Sequence, residues 1–300
     1  MPVVNTLVIQ PFLDAIKYEK RYSYHTIRAY HDDLIQFFDY FSFQFGLLEI
    51  SQVTPPIVRS WLASLKDTGL SGKSISRKLS TLRSFFRYQM RTGAMETSPV
   101  LNITPPKIPK RLPAYIEQED MVTLLKQVEF PDTWNGMTDK LLIRIFYHTG
   151  IRLNELVLLK ELQIDAGNNT LKVLGKGNKE RIIPVSNELI NGINEYRAAK
   201  RSRFSEVDVV YLLVNKSGKK LYHKYVYLAV KKYLKKITTI DKKSPHVLRH
   251  TFATHLTNNG AGINAVKELL GHASLAATQI YTHNNIEKLK EIHKKAHPKS

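Results

Sequence analysis

Through most of the first hundred positions, apolar residues recur with the 3.6-residue period of amphipathic helices. Leu7 to Ile16 is a short run of this kind. Ser23 is placed to cap a second helix, whose apolar positions are Ile27, Tyr30, Leu34, Phe37, Phe38 and Phe41. Thr54-Pro55 starts a third, with Val58, Trp61, Leu62 and Leu65 inward and Gly69 closing it. A fourth runs from about Lys73 to Arg91 and buries Ile75, Leu79, Leu82 and Phe86. Its other face repeats Lys73, Arg77, Ser80, Ser84, Arg87 and Arg91, cations and hydroxyls at steps of four and three.

The pattern breaks at TPPKIPKRLP (104–113), too proline-rich to join a helix or a central strand. Beyond it, 117–128 and 138–148 read as helices, the second stopped by Gly150. QIDAGNNTLKVLGKGNKERIIPV alternates as strand, turn, strand, turn, strand, with positive-φ turns expected at Gly167-Asn168-Asn169 and Gly175-Lys176-Gly177-Asn178. Residues 186–199 and 223–236 are again helical, Ser244-Pro245 starts another helix, and the one after it ends at Gly271. A last short helix, capped by Asn284 or Asn285, lines up Ile286, Leu289, Ile292 and Ala296 and needs an apolar groove to settle in. The expected fold is mainly α with a small antiparallel β-sheet, arranged as a two-domain clamp. Residues 1–104 form an all-α domain, 105–113 a basic linker, and 114–300 an α+β domain ending in the helix 286–297.

Composition is ordinary at 43% hydrophobic and 24% charged, but the formal charge of +19 is not. A chain so basic is drawn to polyanions, nucleic acid first and anionic membrane second. Both halves share the excess, which suggests a surface that grips from two sides. The absence of acidic residues from Gly69 to Ala94 favours phosphate contacts along the Lys73–Arg91 face, with Lys73, Arg77, Arg87 and Arg91 as candidate DNA-binding residues. Zero cysteines exclude disulfides and thiolate metal sites. No signal-peptide pattern opens the chain and no long apolar run occurs, so a soluble cytoplasmic, nucleoid-associated protein is expected.

Candidate chemistry gathers in SPHVLRHTFATHLTNNGAGINAVKELLGHASLAATQIYTH (244–283). His246, Arg249 and His250 share one helix face, His272 follows Gly271, and Tyr281 comes nine residues later. His250 and His255 read as packing or surface groups. Arg152 lies just past Gly150 with Glu155 one turn on, a pattern that a surface ion pair would also give. Lys176 sits at a hairpin tip.

The order His-x-x-Arg, Gly-His, then tyrosine resembles the C-terminal active-site region of the tyrosine recombinases (lambda-integrase family). The likeness spans essentially the whole chain. YSYHTIRAYHDDLIQFF and SISRKLSTLRSFFRY resemble the family's core-binding domain, GKGNKER its catalytic hairpin, and YTHNNIEKLKEIHKKAHP the ending of the Xer-type branch. The six family positions fall on Arg152, Lys176, His246, Arg249, His272 and Tyr281. Lys267 stands where Xer-type sequences often carry glutamine, which alters a peripheral contact.

The resemblance implies a site-specific recombinase that needs no cofactor or metal. Tyr281 attacks the scissile phosphorus to give a 3′-phosphotyrosyl bond and a free 5′-hydroxyl. Arg152 and Arg249 clamp the non-bridging oxygens, and His272 adds a donor. Lys176 protonates the leaving oxygen, and His246 moves protons around the nucleophile. Expected partners are a double-stranded recombination site, a homo-tetramer or a hetero-tetramer with a related recombinase on two such sites, and an activating protein, with no membrane. A groove in its own domain would satisfy the tail helix, and the resemblance implies instead that it docks on a neighbouring protomer. Three other readings stay open: a phage or mobile-element integrase of the same family, a catalytically silent DNA-binding protein, and a metal-dependent nuclease using the His246/His250 spacing.

Overall fold

The structure, a computed structural model, describes residues 3–46, 49–107, 114–175, 179–205, 208–271 and 291–298. Lys176, His272 and Tyr281 lie outside the described residues, as do positions 286–290 of the expected tail helix. The chain divides into two compact units, Met1–Arg111 and Leu112–Ser300.

Among the described residues of the first unit the regular elements are all helices, chiefly α1 (Val3–Asp14), α2 (Tyr24–Phe45), α3 (Pro55–Asp67) and α4 (Gly72–Arg91). Ser23 caps α2 by accepting from Thr26 N at 3.3 Å, as its position predicts, and Ser71 caps α4 in the same way through Ser74 N. The run expected over Leu7–Ile16 is longer, with α1 passing into a π-helical turn at Ala15–Glu19. An aromatic core joins the helices, with Phe37 edge-on to Trp61 at 5.0 Å and Phe12 edge-on to Phe85 at 5.5 Å.

The second unit holds α5 (Gln118–Lys126), α6 (Trp134–Thr149), α7 (Leu153–Val157), β1 (Ile164–Asp165), β2 (Thr170–Leu174), β3 (Glu180–Pro184), α8 (Asn187–Arg203), α9 (His223–Leu234), α10 (Pro245–Asn258) and α11 (Ile263–Leu270). Helix α6 starts four residues before the expected 138, because Thr133 caps Gly136 N at 3.2 Å and buried Trp134 bonds the Val214 carbonyl. From Leu141 to Thr149 every residue but Arg144 is buried, and other elements of the unit pack around the helix. The three strands form one antiparallel sheet in the order β1-β2-β3, with Val173 opposite Arg181 and Leu171 opposite Ile183. Strand periodicity therefore sends Arg181 and Ile183 to the same inner face. Of the expected turn residues, Asn169 takes a positive φ of 52°.

Residues 291–296 are helical and pack within their own unit. Ala296 is buried, Ile292 lies against the core, and the Ala296 carbonyl accepts from Asn259 Nδ2 at 2.7 Å. The segment is held there by a pair of histidines one turn apart. His293 Nε2 meets the His148 carbonyl at 3.1 Å, and His297 Nε2 meets that of Tyr147 at 3.0 Å. These are last-turn carbonyls of α6, left without intrahelical partners, and the two imidazoles cap them.

Candidate active site

Helix α6 ends at Gly150, which takes the left-handed conformation at φ 57°. A Cβ there would collide with Phe252 of α10 and Leu270 of α11. Glycine is therefore required twice over, by backbone conformation and by space. The tight exit buries Ile151 and places Arg152 at the N-cap of α7. Helix α11 ends the same way at Gly271, φ 63°, where an added Cβ would lie 3.0 Å from Arg181 Cδ.

Between these two helix ends lie three guanidiniums, and each caps a carbonyl at the end of α11. Arg181 Nε donates to Leu269 O at 2.8 Å, Arg249 Nη2 to Leu270 O at 2.6 Å, and Arg152 Nη2 to Gly271 O at 3.1 Å. Arg249 Nη1 also donates to Gly150 O at 2.5 Å, so one side chain closes both helix ends. The next residue along the chain from this capped terminus is His272. Lys176 likewise follows Gly175, whose N–H donates to Lys179 O at 2.8 Å and so closes the hairpin between β2 and β3.

Glu155 is the carboxylate of the cluster. Its Oε2 accepts from the Arg152 backbone N–H at 2.7 Å and from Arg181 Nη2 at 2.8 Å, and its Oε1 from Arg152 Nη1 at 2.8 Å and Arg181 Nη1 at 3.0 Å. The surface ion pair that its spacing also allowed is ruled out, since the Glu155 side chain is only 4% exposed. Burial pushes its carboxyl up, but the bonds from Arg181 and Arg152 win and hold it at about 2. Burial lowers Arg249 to about 9, helped by repulsion from Arg152 and Arg181, which leaves it protonated at neutral pH. Among the described residues the cluster thus has three guanidiniums for one carboxylate. Two positive charges are left over in a mostly buried place, an arrangement made to receive an anion. Arg152 supplies the opening, with a side chain 34% exposed.

Of the expected catalytic residues, Arg152 and Arg249 come together, and His246 lies exposed in the first turn of α10, three residues before Arg249. His255 is buried, its ring nitrogens 3.1 Å from Tyr147 Oη and 2.9 Å from Ile116 O, in a packing role. Arg181 was missed by the sequence reading. Its signal was an arginine in an inward strand position beside Ile183.

In the first unit, the cationic row of α4 is partly committed. Arg77 is clamped to Asp33 of α2 by both terminal nitrogens, with Nη2–Oδ1 at 2.8 Å, and buried Lys78 and Thr81 bond the same carboxylate. Arg91 pairs with Glu19 at 3.0 Å. The sequence of α4 lacks acidic residues, but its neighbours supply them. Lys73 and Arg87 remain exposed.

Residues 114–288 match the Phage integrase family, and residues 9–93 match the Phage integrase N-terminal SAM-like domain. The chain belongs to this family, the tyrosine recombinases. Tyrosine recombinase XerC of Thermodesulfovibrio yellowstonii is 38% identical over 298 residues, covering 97% of this chain and 96% of its own. XerC of Oceanobacillus iheyensis is 37% identical over 297 residues, covering 98% and 97%. Among solved structures, the XerH recombinase bound to its difH substrate superposes with a TM-score of 0.70 at 26% identity, covering 96% of this chain and 83% of that one. The Tn1549 transposon integrase shares the fold, with a TM-score of 0.70 at 19% identity over 94% of this chain and 98% of that one. In this chain the arginine cluster lies where the ends of α6 and α11 meet β3.

Proposed function

We propose that the protein is a site-specific DNA recombinase of the Xer type that cuts and rejoins strands through Tyr281. The observation that carries this reading is the surplus of positive charge at the joined ends of α6 and α11, with Arg152 at its open edge. A phosphodiester carries one negative charge, and its transition state for substitution concentrates more on the non-bridging oxygens. Arg152 and Arg249 meet that charge with planar, fixed donors.

In the reaction, the Tyr281 oxygen bonds to phosphorus, the bond to the 5′-oxygen breaks, and a proton from Lys176 completes the 5′-hydroxyl. A phenol has a pKa near ~10, so the proton it loses needs an acceptor, a role assigned to His246. His272 donates to a non-bridging oxygen. The 5′-hydroxyl of a partner strand then attacks the phosphotyrosine and regenerates the phenol, so the bond energy is kept and no nucleotide triphosphate is spent.

The likeness to XerC proteins, 37–38% identical along nearly the whole chain, favours resolution of chromosome or plasmid dimers over insertion of a mobile element. The protein would act as a tetramer on two DNA sites in the cytoplasm, with residues 1–104 and 114–300 as two DNA-contacting domains and 105–113 as their linker.

A nicked suicide substrate tests the reaction. Wild-type protein should form a covalent adduct that survives denaturation and excess EDTA, whereas Tyr281→Phe should bind the same DNA and form none. An adduct that EDTA abolishes and Mg²⁺ restores would favour a metal-dependent nuclease.

A further inference from the structure

Arg181 belongs to none of the six expected catalytic positions, yet its side chain makes three bonds within the cluster, against two each from Arg152 and Arg249. It is 3% exposed. Its three nitrogens reach Leu269 O at 2.8 Å, Glu155 Oε1 at 3.0 Å and Glu155 Oε2 at 2.8 Å. It stands five residues after Lys176 on β3, opposite Val173 and next but one to Ile183, in a position an aliphatic side chain would fill at no desolvation cost. Packing alone gives no reason for a guanidinium there.

The reason lies in what Glu155 would do without it. A buried carboxylate needs its charge matched, and the strongest match is a bidentate arginine using two parallel bonds. Arg181 makes that fork-to-fork pair. Arg152 is left with one side-chain bond to the carboxylate, from Nη1, and turns its Nη2 toward the end of α11. Without Arg181, the guanidinium that already touches Glu155, and would be drawn to its second oxygen, is that of Arg152.

We infer that Arg181 is a positioning residue of strand cleavage: by engaging both oxygens of Glu155 it keeps Arg152 from being captured by that carboxylate and leaves its guanidinium for the phosphate. Arg181 itself touches no part of the DNA, and its effect passes through Glu155 to Arg152. The inference rests on the recombinase reading above.

The test uses full-length protein and the nicked substrate, with adduct formation followed in a single turnover and DNA binding measured separately. Arg181→Met should slow adduct formation by about 100-fold while leaving the DNA Kd within about threefold, because the loss falls on transition-state charge. Combining it with Glu155→Gln should restore at least about tenfold, since a neutral amide has no charge with which to capture Arg152. A merely structural arginine gives the opposite result, for removing a second member of the same buried cluster would deepen the defect. Arg181→Lys keeps the charge but cannot span three acceptors, and it should cleave about tenfold more slowly than wild type. It replaces Arg181→Met if that variant does not fold. The inference is overturned if Arg181→Met cleaves within about threefold of wild type, if the double variant is no faster than Arg181→Met, or if Arg181→Lys cleaves at the wild-type rate. Wild-type protein that forms no adduct overturns the recombinase reading and this inference together.

Discussion

Arg249 Nη2 lies 2.6 Å from the carbonyl oxygen of Leu270, which ties α10 to the last turn of α11 through a buried guanidinium. With Gly150 O on its other nitrogen, Arg249 caps two helices at once. The residue expected to hold the phosphate is therefore also the one that closes the walls of the site.

That double duty predicts how Arg249 and Arg152 differ. Arg249→Lys keeps a charge but cannot reach both carbonyls, so it should lower the melting temperature by several degrees and slow cleavage by about 100-fold or more. Arg152→Lys should slow cleavage comparably and cost less thermal stability, because its side chain is partly open to solvent. Calorimetry and adduct assays on the two variants check this. An Arg249→Lys protein with wild-type melting and cleavage would contradict it.

Acid should loosen the cluster in a defined window. The Glu155 carboxyl is held at about 2, below its ordinary 4.5. Its ionic bonds are fully stabilising above pH 4.5, and that contribution drains away as pH falls toward 2. Melting temperature against pH should therefore fall more steeply for wild type than for Glu155→Gln across this interval. Parallel curves would show that the carboxylate has no such linkage.

The tail should respond to acid sooner. Burial lowers His293, and burial with repulsion from His148 and His293 lowers His297 to about 2, so both are neutral in the fold. Their rings stack 4.9 Å apart, and His148 stacks on His297 at the same distance. Stability from the docked tail is complete above the ordinary value of 6.5 and is lost as pH falls below it, because release lets the imidazoles take up protons. Hydrogen exchange over 291–298 should show protection at pH 8 that declines toward pH 5. His297→Phe should flatten that decline. Equal protection at both pH values in wild type would contradict the docking described.

Much of this was legible from spacing. The helices of the first unit followed their 3.6-residue pattern, and Gly150 and Gly271 marked the helix ends from which the site is built. Other features depended on contacts between distant segments. Nothing in Lys73–Arg91 shows that Asp33, more than forty residues earlier, occupies Arg77. Nothing in the tail reveals that His293 and His297 face the carbonyls of Tyr147 and His148. Arg181 was hidden by its company, a basic hairpin where one more cation looked like surface charge until strand register turned it inward.

The pairing within the first unit divides the α4 cations. Arg87→Ala and Lys73→Ala should weaken binding to all DNA sequences alike and flatten the log K against log salt slope by roughly 0.9 for each phosphate that is no longer neutralised. Arg77→Ala should instead lower the melting temperature, because it leaves buried Asp33 with one cation fewer. A salt titration of the three variants separates them. If Arg77→Ala flattens the slope as Arg87→Ala does, with unchanged melting, Arg77 binds DNA first and Asp33 second.

The arginine cluster is assigned to a tyrosine nucleophile ten residues beyond Gly271, the capped end of α11. The most direct measurement is the identity of the residue joined to DNA. Trapped adduct, digested with trypsin and then nuclease, should yield Glu268–Lys288 carrying a nucleotide remnant, with fragmentation placing the phosphate on Tyr281. A phosphate on any other residue, or DNA cut at its site with no protein attached, would contradict the claim.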